Sequence, residues 1–437
     1  MAGLAAAPAI GWAQRTDGPR VDSIELRRRI EALSLFGRPA GGSFADGVSR
    51  VAYTDADVAG RQYVIGLMKA AGLSPRIDPA GNIFGRRAGR EASLPPILFG
   101  SHIDSVPNGG NFDGDLGSLG ALSVMDALER AAIRTRHPLE MVVWAAEEGV
   151  AFGRGLACSR IVAGDIKPAD MEQVWNGMRR ADAIRKLGGD PDRILDARRQ
   201  RGAYHSYVEL HIEQGGTLEK AGVPIGVVEG IVAIDRYDAV ITGFANHAGT
   251  TPMADRHDAL LAASHLTVAV RDVVTRMAGR QVGTVGHIEV TPNAPNVIPG
   301  RAQLTVEFRD LSEGTLVKLA ETLRGEIPKI ESATGTTIAL TSASRNPPAA
   351  ASSEVQSVIE RASTGLGLAT TRLPSGAGHD AQMMAQLMPM GMIFVPSIGG
   401  ISHSPKELTT WEDCANGANA LLRTILELDS SPNSNRR

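Results

Sequence analysis

The sequence predicts an α/β protein: a larger, discontinuous domain interrupted by a small ferredoxin-like α+β unit. Three observations carry that reading. Helical and strand patterns alternate along the chain, as they do where helices cover a sheet. Apolar runs such as "PPILFGSHID", "MVVWAAEEG" and "GMIFVPSIGG" each end in polar or glycine-rich residues, and open α/β sheets place ligand sites at the carboxyl ends of their strands. Between residues 229 and 342 the pattern becomes strand, helix, strand, strand, helix, strand, the ferredoxin-like order. The larger domain accordingly takes residues 21–228 and 343–428.

Bulk properties narrow the function. A chain of 437 residues is long for a single core, so two domains are expected. Lys and Arg number 45 against 48 Asp and Glu, a formal charge of −3 with no long basic run. That excludes a nucleic-acid surface. Cys158 and Cys414 are the only cysteines, which rules out a disulfide framework and a thiolate metal site. Any metal must be held by nitrogen and oxygen. No stretch is long and apolar enough to span a membrane.

The elements follow in order. Residues 1–20 stand apart: "MAGLAAAPAIGWAQ" resembles the later half of an export signal but lacks its basic leader. Either it is a flexible extension of a cytoplasmic protein, the default, or residues 1–14 are the remnant of a truncated signal for the periplasm. "SIELRRRIEALSLF" sets Leu26, Ile30 and Leu33 at helical spacing. Thr54 can cap a helix running to about Gly72. "YVELHIEQ" alternates, with Glu209, His211 and Glu213 on one face and Val208, Leu210 and Ile212 on the other. The small unit reads as strand 231–243, helix 257–277, strands 282–290 and 302–309, helix 312–333 and strand 336–342. A tail over 429–437, ending "SSPNSNRR", has the composition of a disordered segment.

The chemistry concentrates at the ends of the apolar runs. "GSHIDSVPNGGNFDGDLG" holds His102, Asp104 and Asp113 among glycines. Alone, His102 reads as a hydrogen-bonded structural residue. Asp104, two residues on, shares its face if the strand continues, and a carboxylate beside a histidine orients a metal ligand and raises its basicity. Asp113 caps the helix carrying Leu119, Leu122 and Met125, or approaches an ion through a glycine-rich turn. Glu147 and Glu148 follow a buried-looking run, so they are not simply a solvated pair. One can reach a metal while its neighbour faces a substrate. His211 and His403 also follow apolar runs. Together His102, Asp113, Glu148, His211 and His403 suit zinc, manganese, cobalt or nickel rather than calcium. Five ligands exceed the three of a mononuclear catalytic zinc, but serve two divalent ions if Asp113 bridges.

These stretches, with "EEGVAFG", "ELHIEQGGTLE", "GFANHAGTTPMADRHDAL", "NVIPGRAQLTVEFRD", "GAGHDAQ" and "GISHSPKE", occur in one order over residues 22–428. The sequence resembles the metallopeptidase-like amidohydrolases of the hydantoinase/carbamoylase branch, which include N-carbamoyl-L-amino-acid hydrolase, allantoate amidohydrolase and β-ureidopropionase. The resemblance implies a di-metal aminopeptidase-like catalytic domain and an inserted lid through which members dimerise. It carries the ligand role onto His102, Asp113, Glu148, His211 and His403, and the general-base role onto Glu147; Asp104, beside His102, is counted with the catalytic residues. Gln214, His247, Asn296, Arg309 and Gly378 match the family's substrate contacts, with His247 also an oxyanion contact, offered to the other subunit.

Some of these positions have plainer readings. Arg309 lies on the polar face of "QLTVEFRD" with Thr305 and Glu307. There it either clamps a substrate carboxylate or forms a surface ion pair with Glu307. The plainer role for His247 is a helix cap, and for His379 with Asp380 it is holding the loop around Gly378. Two positions depart from the family. Asp115 replaces a small or apolar residue, and either alters the charge at the metal site or caps a helix. "GVAFG" lacks the commoner serine-arginine pair. The implied reaction is hydrolysis of N-carbamoyl-L-amino acids to amino acid, carbon dioxide and ammonia, a small-molecule ureido acid being the substrate. Allantoate is the runner-up, followed by a metal-dependent dipeptidase and an inactive binding protein.

Overall fold

The central strands are buried along their whole length because both faces are covered. The computed structural model describes residues 18–430; the signal-like residues 1–14 and most of the 429–437 tail lie outside the described residues. A nine-stranded mixed sheet runs in the order Ser74–Ile77, Ile83–Arg87, Leu139–Trp144, Ile97–His102, Ser206–Ile212, Met390–Val395, Ile225–Ile231, Ala349–Ala350, with Thr370–Ser375 also paired to Ile225–Ile231. The four strands from Leu139–Trp144 to Met390–Val395 are mutually parallel, and every residue of each is buried. One apolar layer contains Phe99, Leu122, Val208, Ile393 and Leu421, and a second contains Leu98, Trp144, Tyr207 and Phe394.

The helices start where local chemistry dictates. Ser23–Leu33 buries Leu26, Ile30 and Leu33, and Asp22 accepts from the amides of Ile24 and Glu25, satisfying orphan donors of the first turn. Thr54 caps Asp55–Ala70 through the amide of Asp57. The last helix, Trp411–Ser430, runs two residues beyond the expected end at 428. Asp429 explains the extension: it is buried and accepts from the amides of Arg136 and His137.

A separate four-stranded antiparallel sheet has the order Val282–Thr291, Arg301–Asp310, Ala233–Thr242, Thr337–Asn346. Its helices, Ala259–Arg276 and Glu313–Thr334, share a core with Leu304, Val306 and Phe308. The chain order is β-α-β-β-α-β. Two edges differ from the sequence expectation. Residues 229–231 belong to the large sheet, and the last small strand reaches Asn346 rather than residue 342, extended by pairing with Asp235 and Ile234. Among the described residues no helix is long and apolar enough to cross a membrane.

Candidate metal centre

The expected ligands come from the carboxyl ends of the parallel strands. His102 ends one strand, and Glu147 and Glu148 follow Leu139–Trp144. His211 lies in Ser206–Ile212, and His403 follows Met390–Val395. Asp113 arrives on the turn before helix Asp115–Arg130. That turn requires glycine next: Gly114 has φ +66°, and a Cβ there would sit 2.4 Å from the His102 ring.

The geometry gathers two groups around one carboxylate. His102, Asp113 and His211 form one; Asp113, Glu148 and His403 form the other, and within each the donor atoms lie within 4.8 Å of one another. Asp113 Oδ1 is 3.5 Å from His102 Nε2 and 3.1 Å from His211 Nε2. His403 Nε2 is 3.4 Å from Asp113 Oδ2 and 3.3 Å from Glu148 Oε2. Glu147 Oε2 approaches His102 Nε2 at 3.9 Å.

Hydrogen bonding fixes what these atoms offer. His211 Nδ1 contacts the carbonyl of Ile212 at 2.9 Å, and His102 Nδ1 that of Asp104 at 3.0 Å. A ring nitrogen facing a carbonyl must carry the proton, so Nε2 is the atom that each ring turns towards Asp113, open to a metal or a second proton. A positive charge between ring and carboxylate makes that approach favourable. Electrostatics agree. Asp113 and Glu148 together hold His403 up to about 9. Burial, then the Asp113 charge, pushes Glu148 up to about 8. Burial and Glu148 also hold Glu147 well above the usual carboxylate range. Glu148 Oε1 is buried without a hydrogen-bond partner. The donor set therefore fits divalent cations.

Asp104 is placed differently from the expectation. Its Oδ1 is 3.8 Å from His102 Nδ1, and its backbone carbonyl makes the closer contact to the ring. The strand has ended at His102, so the face-sharing rule no longer applies. Its carboxylate instead accepts from the amides of Glu147 (3.1 Å) and Glu148 (3.2 Å). Asp104 thus holds the glutamate pair as well as the histidine.

Of the expected substrate contacts, Gln214, Arg309 and Gly378 line one cavity of about 420 Å³ with His102, Asp113, Glu147, Glu148, His211 and His403. Gln214 Nε2 donates to Asp113 Oδ2 at 2.6 Å. Arg309 forms the ion pair with Glu307 through Nε at 2.7 Å, and its Nη1 donates to the Gly376 carbonyl at 2.6 Å. His247 and Asn296 do not line this cavity. His247 is exposed on the two-residue strand Asn246–His247 beside Val297–Ile298, and Ala248 N donates to the Asn296 carbonyl. Asp115 does not cap its helix; it pairs with Arg50.

Several residues escaped the sequence reading. Glu407 is buried, and its Oε1 accepts from the amides of Phe112 and Asp113; Ser402 Oγ bridges Glu407 Oε2 and Asp113 Oδ2. Both lie inside "GISHSPKE", the one signal that could have found them. His379, by contrast, is the residue expected from the sequence to hold the loop around Gly378; it packs against His211 at 4.5 Å between ring centres and contacts Ser375 Oγ.

A parallel-strand scaffold with two carboxylate-histidine groups sharing one aspartate defines the metallohydrolase class. The chain belongs to the peptidase family M20/M25/M40, whose profile it matches over residues 98–427. It is 38% identical over 404 residues to an N-carbamoyl-L-amino acid amidohydrolase of Geobacillus stearothermophilus, covering 92% of this chain and 98% of that protein. It is 35% identical over 407 residues to the allantoate amidohydrolase of Escherichia coli K12, covering 92% and 97%. A solved hydantoinase/carbamoylase family amidase of Burkholderia multivorans superposes with a TM-score of 0.87 at 36% identity, covering 94% of this chain and 99% of that one.

Proposed function

We propose that this protein hydrolyses the carbamoyl C–N bond of N-carbamoyl-L-amino acids, releasing the amino acid, carbon dioxide and ammonia. The observation that carries this reading is the cavity itself, where two candidate metal groups, a buried glutamate outside both and an arginine from the small unit converge. The Geobacillus relative, named for that activity, supports it. His102, Asp113 and His211 would hold one divalent cation, and Asp113, Glu148 and His403 the other; zinc, manganese, cobalt and nickel all suit these donors. Such cations, when bound, polarise a carbonyl and lower the pKa of water towards neutrality.

Glu147 takes the water's proton and returns it to the leaving nitrogen. Its backbone is fixed by Asp104. Arg309 binds the substrate carboxylate, aided by Gln214 and the Gly378 backbone. Because Arg309 belongs to the small unit (strand Arg301–Asp310) and reaches Gly376, that unit acts as a lid inserted into the larger domain between the strands Ile225–Ile231 and Ala349–Ala350, and carboxylate binding favours its closure.

His247 and Asn296 serve a second subunit's cavity in a homodimer formed through the small unit. Gly249 N and Thr250 N donate to His247 Nδ1 at 3.0 and 3.2 Å, so Nε2 carries the proton and can donate to a developing oxyanion. Phe244 and Met253 nearby are 62% and 77% exposed, and Val282–Thr291 is an edge strand. Apolar surface and an open strand edge both favour a partner.

The test is ammonia release by metal-stripped protein reloaded with manganese, zinc, cobalt or nickel. Substrates are N-carbamoyl amino acids of both hands, allantoate and dipeptides. Metal-dependent turnover of L-carbamoyl acids is expected. Turnover of allantoate alone would replace this reading with the activity the Escherichia relative is named for.

A further inference from the structure

We propose that the substrate of this cavity carries a second carboxylate on its side chain, recognised by Arg154 with Arg160. The inference rests on the preceding reading and names its substrate class. It begins with charge. Four arginines line the cavity: Arg154, Arg160, Arg236 and Arg309. They fall into two pairs, each sharing one carboxylate. Arg236 Nε and Arg309 Nε engage the two oxygens of Glu307 at 2.6 and 2.7 Å. Arg154 Nη2 and Arg160 Nη1 both engage Asp165 Oδ2, at 2.9 and 2.6 Å.

Guanidinium groups stay charged in proteins, so each pair leaves one positive charge in excess. The other acids lining the cavity are Asp113, Glu147 and Glu148, which face the candidate cations. A ureido acid with a neutral side chain offers one carboxylate, matching only the excess at Arg309. The charge at Arg154 and Arg160 is left over. Arg154 is half exposed, so water solvates that charge in the free cavity, and a side-chain carboxylate would replace the water with a charge-assisted contact.

The loop is built to hold these arginines beside the reacting centre. It leaves the glutamate pair and folds straight back: Leu156 N donates to the Glu147 carbonyl at 2.7 Å and Ala157 N to that of Ala146 at 3.0 Å. The turn admits only small backbone. A Cβ on Gly149 would lie 2.6 Å from Gly155 N, and one on Gly155 would lie 2.7 Å from the Glu147 carbonyl. Arg154 is therefore fixed close to Glu147, and Arg160 braces the loop by donating to the Gly155 carbonyl at 3.0 Å. Arg160 is 9% exposed and Arg154 51%, so Arg154 can swing to a ligand without leaving a buried gap.

The experiment compares kcat/KM for N-carbamoyl-L-glutamate and N-carbamoyl-L-aspartate with their amide isosteres, N-carbamoyl-L-glutamine and N-carbamoyl-L-asparagine. Wild type should favour the acids at least about tenfold, the scale of one charge-assisted contact. R154Q should bring the ratio towards one, and R154K should retain most of it. Calorimetry on metal-loaded E147Q measures the same ratio as affinity. A wild-type ratio of one or below, or a ratio unmoved by R154Q, overturns the inference while turnover of the amides upholds hydrolysis. If no ureido acid is turned over, the hydrolytic reading fails on its own. Calorimetry then decides: acid-selective binding keeps the pocket assignment, and equal affinity ends it.

Discussion

Arg50 and Asp115 form a buried ion pair beside the candidate metal centre: Arg50 Nη2 lies 2.5 Å from Asp115 Oδ2, and each side chain is 1% exposed. The Asp115 amide donates to the Asp113 carbonyl at 2.7 Å, so the pair adjoins the shared carboxylate directly. Arg50 also donates to the carbonyls of Ile103, Leu33 and Phe36. One guanidinium thus ties the turn bearing Asp113 to the strand end after His102 and to the first helix. Breaking such a pair leaves an uncompensated buried charge, costing about 3–5 kcal/mol. R50M and D115N should each lower the unfolding free energy measured in urea on that scale. The double variant should cost less than their sum, by about 1–3 kcal/mol of coupling. Strict additivity would show that the two residues act independently.

Removing divalent metal should destabilise the folded protein. Nε2 of His102 and of His211 faces Asp113, and Glu148 has a buried unpartnered oxygen. Cations binding the native state alone stabilise it by about 2.7 kcal/mol at a hundredfold excess over Kd. Exhaustive chelation should lower Tm, and readdition of manganese or zinc should restore it. A Tm indifferent to metal, in protein shown by elemental analysis to bind it, would rule out strong coupling between these ligands and the fold.

Arg309→Ala should lower kcat/KM for ureido acids about 10²-fold, with metal content unchanged, because a charge-assisted guanidinium–carboxylate contact is lost. Glu307 would still hold Arg236, so the strand keeps a partner. Unaltered kcat/KM would return Arg309 to the plain role of an ion pair with Glu307.

What the sequence disclosed was set by local pattern. The small unit was legible because Leu304, Val306 and Phe308 alternate with polar residues, and all three are buried. His102, Glu148, His211 and His403 were legible because each follows an apolar run that becomes a parallel strand. The failures are contacts made across the chain. Glu407 meets the amide of Asp113 from 294 positions away, and Arg50 meets Asp115 from 65. No periodicity encodes either. The grouping of Arg154 with Arg160 depends on a loop folding back on itself, which a string of residues does not display. Asp104 was legible only in part: the backbone turns after His102, so the Asp104 carbonyl makes the closer contact to the ring, and the bonds of its carboxylate to the Glu147 and Glu148 amides could not be read from strand periodicity.

His247 and Glu147 should complement each other between subunits. His247 does not line the cavity holding Glu147, and its proton-bearing Nε2 leaves it a donor without a reacting atom of its own. E147Q should bind metal, fold normally and lose at least about 10² in turnover. H247A should also be nearly inactive if an oxyanion donor is lost, at about 10²–10³. When the two inactive proteins are mixed, dissociated and reassembled, half the dimers should be mixed. Each mixed dimer joins the Glu147 of one chain to the His247 of the other at a single cavity, so recovered activity should approach about a quarter of wild type. No recovery, in a sample where labelled subunits have demonstrably exchanged, would mean that His247 acts within its own chain or not at all.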